Sequence, residues 1–158
     1  MATPDFVLSL REKIGTAPLW LAGVTAVVVR GDEVLLVKRA DTGAWTPVTG
    51  IVDPGEDPSD AAVRETLEEA DLEVVAERLA SIGVTREVVY PNGDRAQYLD
   101  HTFVMRHVSG APAPADGENT EARWFRLDEL PPMSDDMLRR LDAALSDEQA
   151  ARFGKPTR

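Results

Sequence analysis

The chain has 158 residues, 43% hydrophobic and 28% charged, an ordinary balance for one globular domain spanning 1–158. Lys and Arg number 17 against 28 Asp and Glu, a formal charge of −11 that repels nucleic-acid backbones and argues against a nucleic-acid polymer as partner. Cysteine is absent, which excludes disulfides, thiolate nucleophiles and thiolate metal sites. No apolar run approaches the roughly 20 residues of a membrane helix, and the opening MATPDFVLSLREKIG is too acidic for a signal peptide. A cytoplasmic protein with no membrane partner is expected.

In chain order, residues 5–14 set Phe6, Leu10 and Ile14 on one stripe, which predicts a short amphipathic helix within an N-terminal extension over 1–18. Leu21–Val29 and Glu33–Lys38, joined by Gly31-Asp32, read as a β-hairpin. Trp45–Val52 is a third extended segment, interrupted by Pro47. Asp57–Ala70 reads as a helix, with Asp57 at the N-cap, Pro58 at the first helical position and Asp71 in the left-handed position that ends it. Ala80–Tyr90 and Ala96–His107 are strand-like and flank Pro91-Asn92-Gly93-Asp94, a strong hairpin signal. Gly110–Gly117 is a loop rich in Ala and Pro, Ala122–Arg126 a last short strand, and Ser134–Leu145 a helix capped by Ser134. The tail from 153 to 158 is expected to fray. Strands outnumber helices, and the mixture predicts an α/β (α+β) layered domain around a mixed sheet.

The chemistry concentrates in GIVDPGEDPSDAAVRETLEEADL, residues 50–72. At about 100° per residue, Val63, Leu67 and Ala70 share one helix face and Glu65, Glu68 and Glu69 nearly the opposite one, with Arg64 one turn before Glu68. Three like charges at this spacing cost roughly 0.2–0.5 kcal/mol per pair on a bare helix. The loop before them carries Gly50, Gly55 and Glu56, and Gly50 lets the backbone approach whatever the helix binds. Carboxylates with a carbonyl form a hard-oxygen set suited to Mg²⁺ or Mn²⁺ and to hydrolysis at phosphorus.

The spacing Gly50, five residues, Glu56, seven residues, then Arg64-Glu65-Thr66-Leu67-Glu68-Glu69-Ala70-Asp71-Leu72 resembles the Nudix box. Every charged position matches. Thr66 stands where the pattern has a bulky apolar residue, and Asp71 replaces its final glycine. The resemblance implies an α/β/α sandwich around a mixed sheet and a Mg²⁺- or Mn²⁺-dependent pyrophosphohydrolase acting on a nucleoside diphosphate derivative. Its substrates would be nucleoside triphosphates, ADP-ribose, nucleotide sugars or dinucleoside polyphosphates.

The same resemblance implies roles for individual residues. Glu68 and Glu69 become metal ligands, Glu65 a ligand or the base beside the attacking water, and Arg64 the group that orients them. Glu56 holds the loop or reaches the metal through water, and the Thr49 carbonyl is a further ligand. A downstream acid completes the set, with Glu118 favoured over Asp116 and Glu121. Outside the box, Trp45 and Tyr90 are candidates to stack on a nucleobase, His101 and one of Trp124 and Phe125 read as structural, and His107, near a strand end, carries no signal. The alternative reading is a Nudix-fold module that senses a nucleotide without cleaving it. An isoprenyl diphosphate isomerase, which shares the fold, would need a cysteine that this chain lacks. The 5–14 helix offers a face for its own domain or for a second copy, so a homodimer is open.

Overall fold

The computed structural model describes residues 3–154. It contains α1 (Asp5–Ile14), β1 (Leu19–Arg30), β2 (Glu33–Arg39), β3 (Trp45–Thr46), β4 (Val48–Ile51) and α2 (Pro58–Ala70). These are followed by β5 (Glu73–Val84), β6 (Val88–Val89), β7 (Arg95–Ser109), β8 (Asn119–Arg126), α3 (Asp135–Leu145) and β9 (Arg152–Phe153). The described residues form one mixed sheet of nine strands running β3-β2-β1-β7-β5-β9, with β4 added on β1, β6 on β7 and β8 on β2. β1 and β7 are parallel along eleven consecutive pairs from Leu19↔Ala96 to Val29↔Arg106. β1 meets β2 only at the turn, through Val29↔Val34 and Arg30↔Glu33, and its middle instead pairs antiparallel with β4. The sheet therefore splays where β4 enters, and that opening leads into the residues 50–56 loop.

Strand alternation sorts the core into layers. On one face Val24, Ala26, Val28, Leu35, Val37 and Met105 pack beneath α2 with Ala61, Ala62 and Ala70. On the other, Val27, Val34 and Leu36 pack beneath α3 with Leu141, Ala143 and Ala144. Val7 of α1 joins Leu21 and Ala96 in a smaller cluster. This is the expected sandwich, and Trp124 and Phe125 divide between its two sides.

α3 is held by its Ser134 cap, which accepts from the Met137 N–H at 3.3 Å, and by a buried polar network. Asp100 accepts from Thr25 (2.8 Å) and Thr102 (2.9 Å), and Arg140 donates to Thr25 (2.8 Å), Asp100 (3.2 Å) and Asp136 (2.6 Å). Both oxygens of the buried Asp100 carboxylate are thus given donors.

Several elements differ from their sequence reading. β5 begins at Glu73 rather than Ala80, and three register irregularities against β7 break the alternation that would have revealed it. Asp57 occupies the N-cap in extended backbone, yet its side chain makes no capping bond, and its carbonyl receives the Asp60 and Ala61 N–H groups instead. Phe153, placed in the fraying tail, pairs with Ile82 in β9, while residues 155–158 lie outside the described ones. The buried face of α2 is also not the expected one. Leu67 is 49% exposed, and the helix buries Ala61, Ala62, Glu65, Thr66, Glu69 and Ala70. Small side chains let the helix sit close to the sheet, and this turns two of the three glutamates inward. Thr66 tolerates the apolar position by donating its hydroxyl to the Ala62 carbonyl at 2.7 Å.

Candidate active site

The site forms where the splayed end of β4 meets α2. Gly50 pairs with Val24 and so faces α2. Glu65, 0% exposed, lies directly against it, and a Cβ at Gly50 would stand 2.1 Å from Glu65 Cδ. Glycine is required here by contact with a carboxyl group, not by backbone conformation.

Arg64 gathers the acids around it. Its Nε and Nη2 grip both oxygens of Glu56 at 2.8 Å each, a bidentate pair. Its Nη1 donates to Glu65 Oε1 at 2.8 Å and to Glu68 at 3.4 Å, and its Nη2 to the Ile51 carbonyl at 3.1 Å. The guanidinium beside it holds the Glu56 carboxyl below the usual carboxylate range. Glu56 also receives the Asp53 N–H at 3.1 Å, so it closes the loop over residues 53–56.

Burial acts in the opposite sense on the inward acids. It pushes Glu65 up to about 8, against the pull of Arg64, with Glu69 and Glu68 adding to the rise. Glu69, 1% exposed, is pushed up to about 7 by burial, against the hydrogen bond from Asn119 at 3.0 Å, with Asp116 and Glu118 adding to it. Two buried acceptors, Glu65 Oε2 and Asn119 Oδ1, have no hydrogen-bond partner among the described residues. Unsatisfied buried acceptors are rare and call for a donor or a cation.

Carboxylate oxygens of Glu69, Asp116 and Glu118 lie within 4.8 Å of one another. The downstream acids reach Glu69 because Asn119 opens β8 opposite Arg39, and the Ala40 N–H donates to the Glu118 carbonyl at 2.8 Å. Arg39, bonded to Asp41 through both Nε and Nη2, adds a positive charge felt by Glu118 and Glu69. Beside these groups is a cleft of about 450 Å³ lined by Asp53, Arg64, Glu68 and Asp116, with Thr3 to Asp5 at its rim. An all-oxygen donor set with orphaned buried acceptors fits a hard divalent cation such as Mg²⁺ or Mn²⁺.

Other candidates fall elsewhere. Glu121 pairs with Lys38 (3.1 Å) and Arg123 (3.3 Å), away from Glu69. Trp45 lies in the layer beneath α3, edge-on to Phe125 at 4.8 Å and under the Arg123 guanidinium at 4.8 Å. Tyr90 shares a 2.5 Å hydroxyl–hydroxyl hydrogen bond with Tyr98 near the β6–β7 turn. Thr49 alone of these adjoins the site, opposite Thr25 and one residue before Gly50. His101 meets the Gly23 carbonyl at 3.1 Å, and His107 the Gly110 carbonyl at 3.1 Å with its ring edge-on to Trp124. Asn119 and Arg39 were not anticipated. Their only sequence signal is proximity to acids: Asn119 follows Glu118, and Arg39 lies two residues before Asp41.

A three-layer mixed sheet with a glycine-entered, arginine-centred glutamate helix on one face defines a fold built to present carboxylates at a strand opening. The Nudix domain family is matched over residues 20–145, and this chain belongs to it. The chain is 37% identical over 109 residues to the NAD-capped RNA hydrolase NudC of Pseudomonas aeruginosa, covering 68% of this chain and 36% of that protein. It therefore spans about a third of the length of the curated relatives it matches. An ADP-ribose pyrophosphatase structure from Streptococcus suis is similar at a TM-score of 0.66 and 26% identity, covering 85% of this chain and 98% of that one. A Nudix hydrolase structure from Nitrosomonas europaea shares the fold at a TM-score of 0.67 and 24% identity, covering 85% of this chain and 77% of that one. No described helix is long and apolar enough to cross a membrane.

Proposed function

We propose that this chain hydrolyses a pyrophosphate linkage in a nucleoside diphosphate derivative, with Mg²⁺ or Mn²⁺ held by Glu69, Asp116 and Glu118. The observation that carries the reading is the convergence of these three carboxylates within 4.8 Å beside the buried, orphaned oxygen of Glu65. When bound, such cations neutralise charge on the phosphoryl oxygens and lower the pKa of a coordinated water.

The chain's own residues do the rest. Glu68, exposed at the cleft, and the Thr49 carbonyl extend the ligand set. Glu65, raised towards neutrality by burial, is suited to accept a proton at Oε2 near the working pH. Arg64 fixes Glu65 and Glu68 in place, and Glu56 keeps Arg64 forked and the loop shut. The relatives are named for NAD-capped RNA, and NAD itself contains a pyrophosphate. The substrate class is therefore read as a nucleotide-type pyrophosphate, free or at the end of a larger molecule, which softens the expectation that no nucleic-acid polymer is involved.

The test is product release from ADP-ribose, NAD, a nucleoside triphosphate and a dinucleoside polyphosphate, with Mg²⁺, with Mn²⁺ and with chelator. Release from at least one compound that depends on metal and falls about a hundredfold or more in Glu69→Gln is expected. Metal-independent release, or near-normal rates in Glu69→Gln, overturns the reading.

A further inference from the structure

α2 covers its face of the sheet only in part. Val24, Ala26 and Val28 of β1 lie beneath it, but Ala22 and Trp20, on the same face by alternation, do not. Trp20 is 58% exposed, and Val84 of β5, aligned with Leu99 of β7, is 57% exposed. The parallel register sets Leu99 beside Ala22 and Gln97 beside Trp20. The open strip leads straight to the glutamates. Gly50, which carries the Glu65 carboxyl against it, pairs with Val24, and Trp20 lies four strand residues further, about 13 Å. That span is of the order of a nucleoside and its diphosphate. Ala22 between them leaves a shallow floor. The Val52 N–H bonds its carbonyl at 3.0 Å and seats the loop along one wall.

We propose that Trp20 is the platform on which the planar base of the substrate's nucleoside stacks, which makes it a determinant of substrate choice. The inference rests on the pyrophosphohydrolase reading for the site at the other end of the strip. Gln97, the register neighbour of Trp20, supports it: its amide donates to the Thr85 carbonyl at 2.9 Å, which fixes the side chain and leaves its oxygen as an acceptor on the adjoining strand. A base has donors at its edge and a π-face above and below, and both needs are met here. A second copy of the chain is the other occupant an apolar strip could take. It would bring a further formal charge of −11 to a partner carrying the same, which disfavours it.

The experiment is calorimetric titration of AMP and of ribose 5-phosphate into the full chain with Mg²⁺, for wild type, Trp20→Ala and Trp20→Phe. AMP is expected to bind wild type about 5- to 150-fold more tightly than ribose 5-phosphate, the range that one stacked base supplies. Trp20→Ala should equalise the two ligands, and Trp20→Phe should keep most of the preference. With an accepted substrate, Trp20→Ala should raise KM by the same factor at unchanged kcat. No preference for AMP in wild type, or one untouched by Trp20→Ala, overturns the proposal. So does a dimer that Trp20→Ala converts to monomer with the AMP preference intact, which assigns the strip to a second copy. Loss of hydrolysis across the panel with the AMP preference retained would strike the proposed activity alone. Hydrolysis without the preference would strike Trp20 alone.

Discussion

Gly50 and Glu65 compete for one volume: a Cβ at position 50 would stand 2.1 Å from Glu65 Cδ and 2.3 Å from its Oε1. Gly50→Ala must drive the buried carboxyl out of its seat beside Arg64. Overpacking of this kind costs about 1–3 kcal/mol. The variant should stay folded by circular dichroism, melt several degrees lower, and lose more than about tenfold of its hydrolysis.

Arg64 makes hydrogen bonds to Glu56, Glu65, Glu68 and the Ile51 carbonyl. A lysine carries the charge but not the fork, so Arg64→Lys keeps at most one branch of this set. A loss of about 2 kcal/mol is expected, read as a fall in Tm of roughly 4–8 °C. Glu56→Gln should share most of that loss, and the double variant should lose much less than the sum. Additive losses would show that the pair does not act as one unit.

Glu65 and Glu69 are raised by burial to about 8 and about 7, above their unfolded values near 4.5. Between these limits the folded chain holds protons that the unfolded chain has released, so unfolding becomes easier as pH rises. In chelator, the Tm contribution of these two groups should be full below about pH 4.5 and should decline up to about pH 8. Glu69→Gln should flatten the decline. Added Mg²⁺ should raise Tm most at the alkaline end, where the carboxylates are charged. A Tm that climbs through this window in chelator, with no flattening in the variant, would contradict the burial argument.

Asp116 and Glu118 converge on Glu69, whereas Glu121 is paired with Lys38 and Arg123. Mn²⁺ titration should therefore show affinity lowered about tenfold or more by Glu118→Gln and by Asp116→Asn, and unchanged by Glu121→Gln. The reverse ranking would make Glu121 the downstream ligand.

Asp71 ends α2 at φ 55°, ψ 38°, the left-handed region, with its N–H on the Leu67 carbonyl. It is the one non-glycine residue at positive φ among the described residues. Asp71→Gly removes that strain and should stabilise the chain by up to about 1 kcal/mol, or roughly 2–4 °C in Tm, with hydrolysis unchanged.

The fold and the box were largely readable from local signals. Pro58, Asp71 and the Ser134 cap mark helix ends through backbone chemistry that acts within a few residues. The face of α2 was not readable in this way. Periodicity put Leu67 inward and all three glutamates outward, because it weighs side-chain polarity alone. The helix instead approaches through Ala61, Ala62, Thr66 and Ala70, which are small enough for close contact, and Glu65 and Glu69 go in with them. Asn119 and Arg39 reach Glu69 only through the β2–β8 pairing, about eighty residues apart in the chain. Trp20 falls outside the predicted strand because the apolar run begins at Leu21, two residues after β1 starts at Leu19.

The eleven parallel pairs of β1 and β7 join residues 77 positions apart, and β4 docks on the other side of the same strand. A slip of one residue between β1 and β4 would present Thr49 or Ile51 to Glu65 in place of Gly50, and would turn every neighbouring side chain to the opposite layer. Strand misregistration is therefore self-reporting in this chain: a threonine or isoleucine side chain cannot share the volume held by a buried carboxyl group. The glycine that opens the box thus ties the β1–β4 register to the seating of Glu65: of the three residues, it alone leaves room for the buried carboxyl.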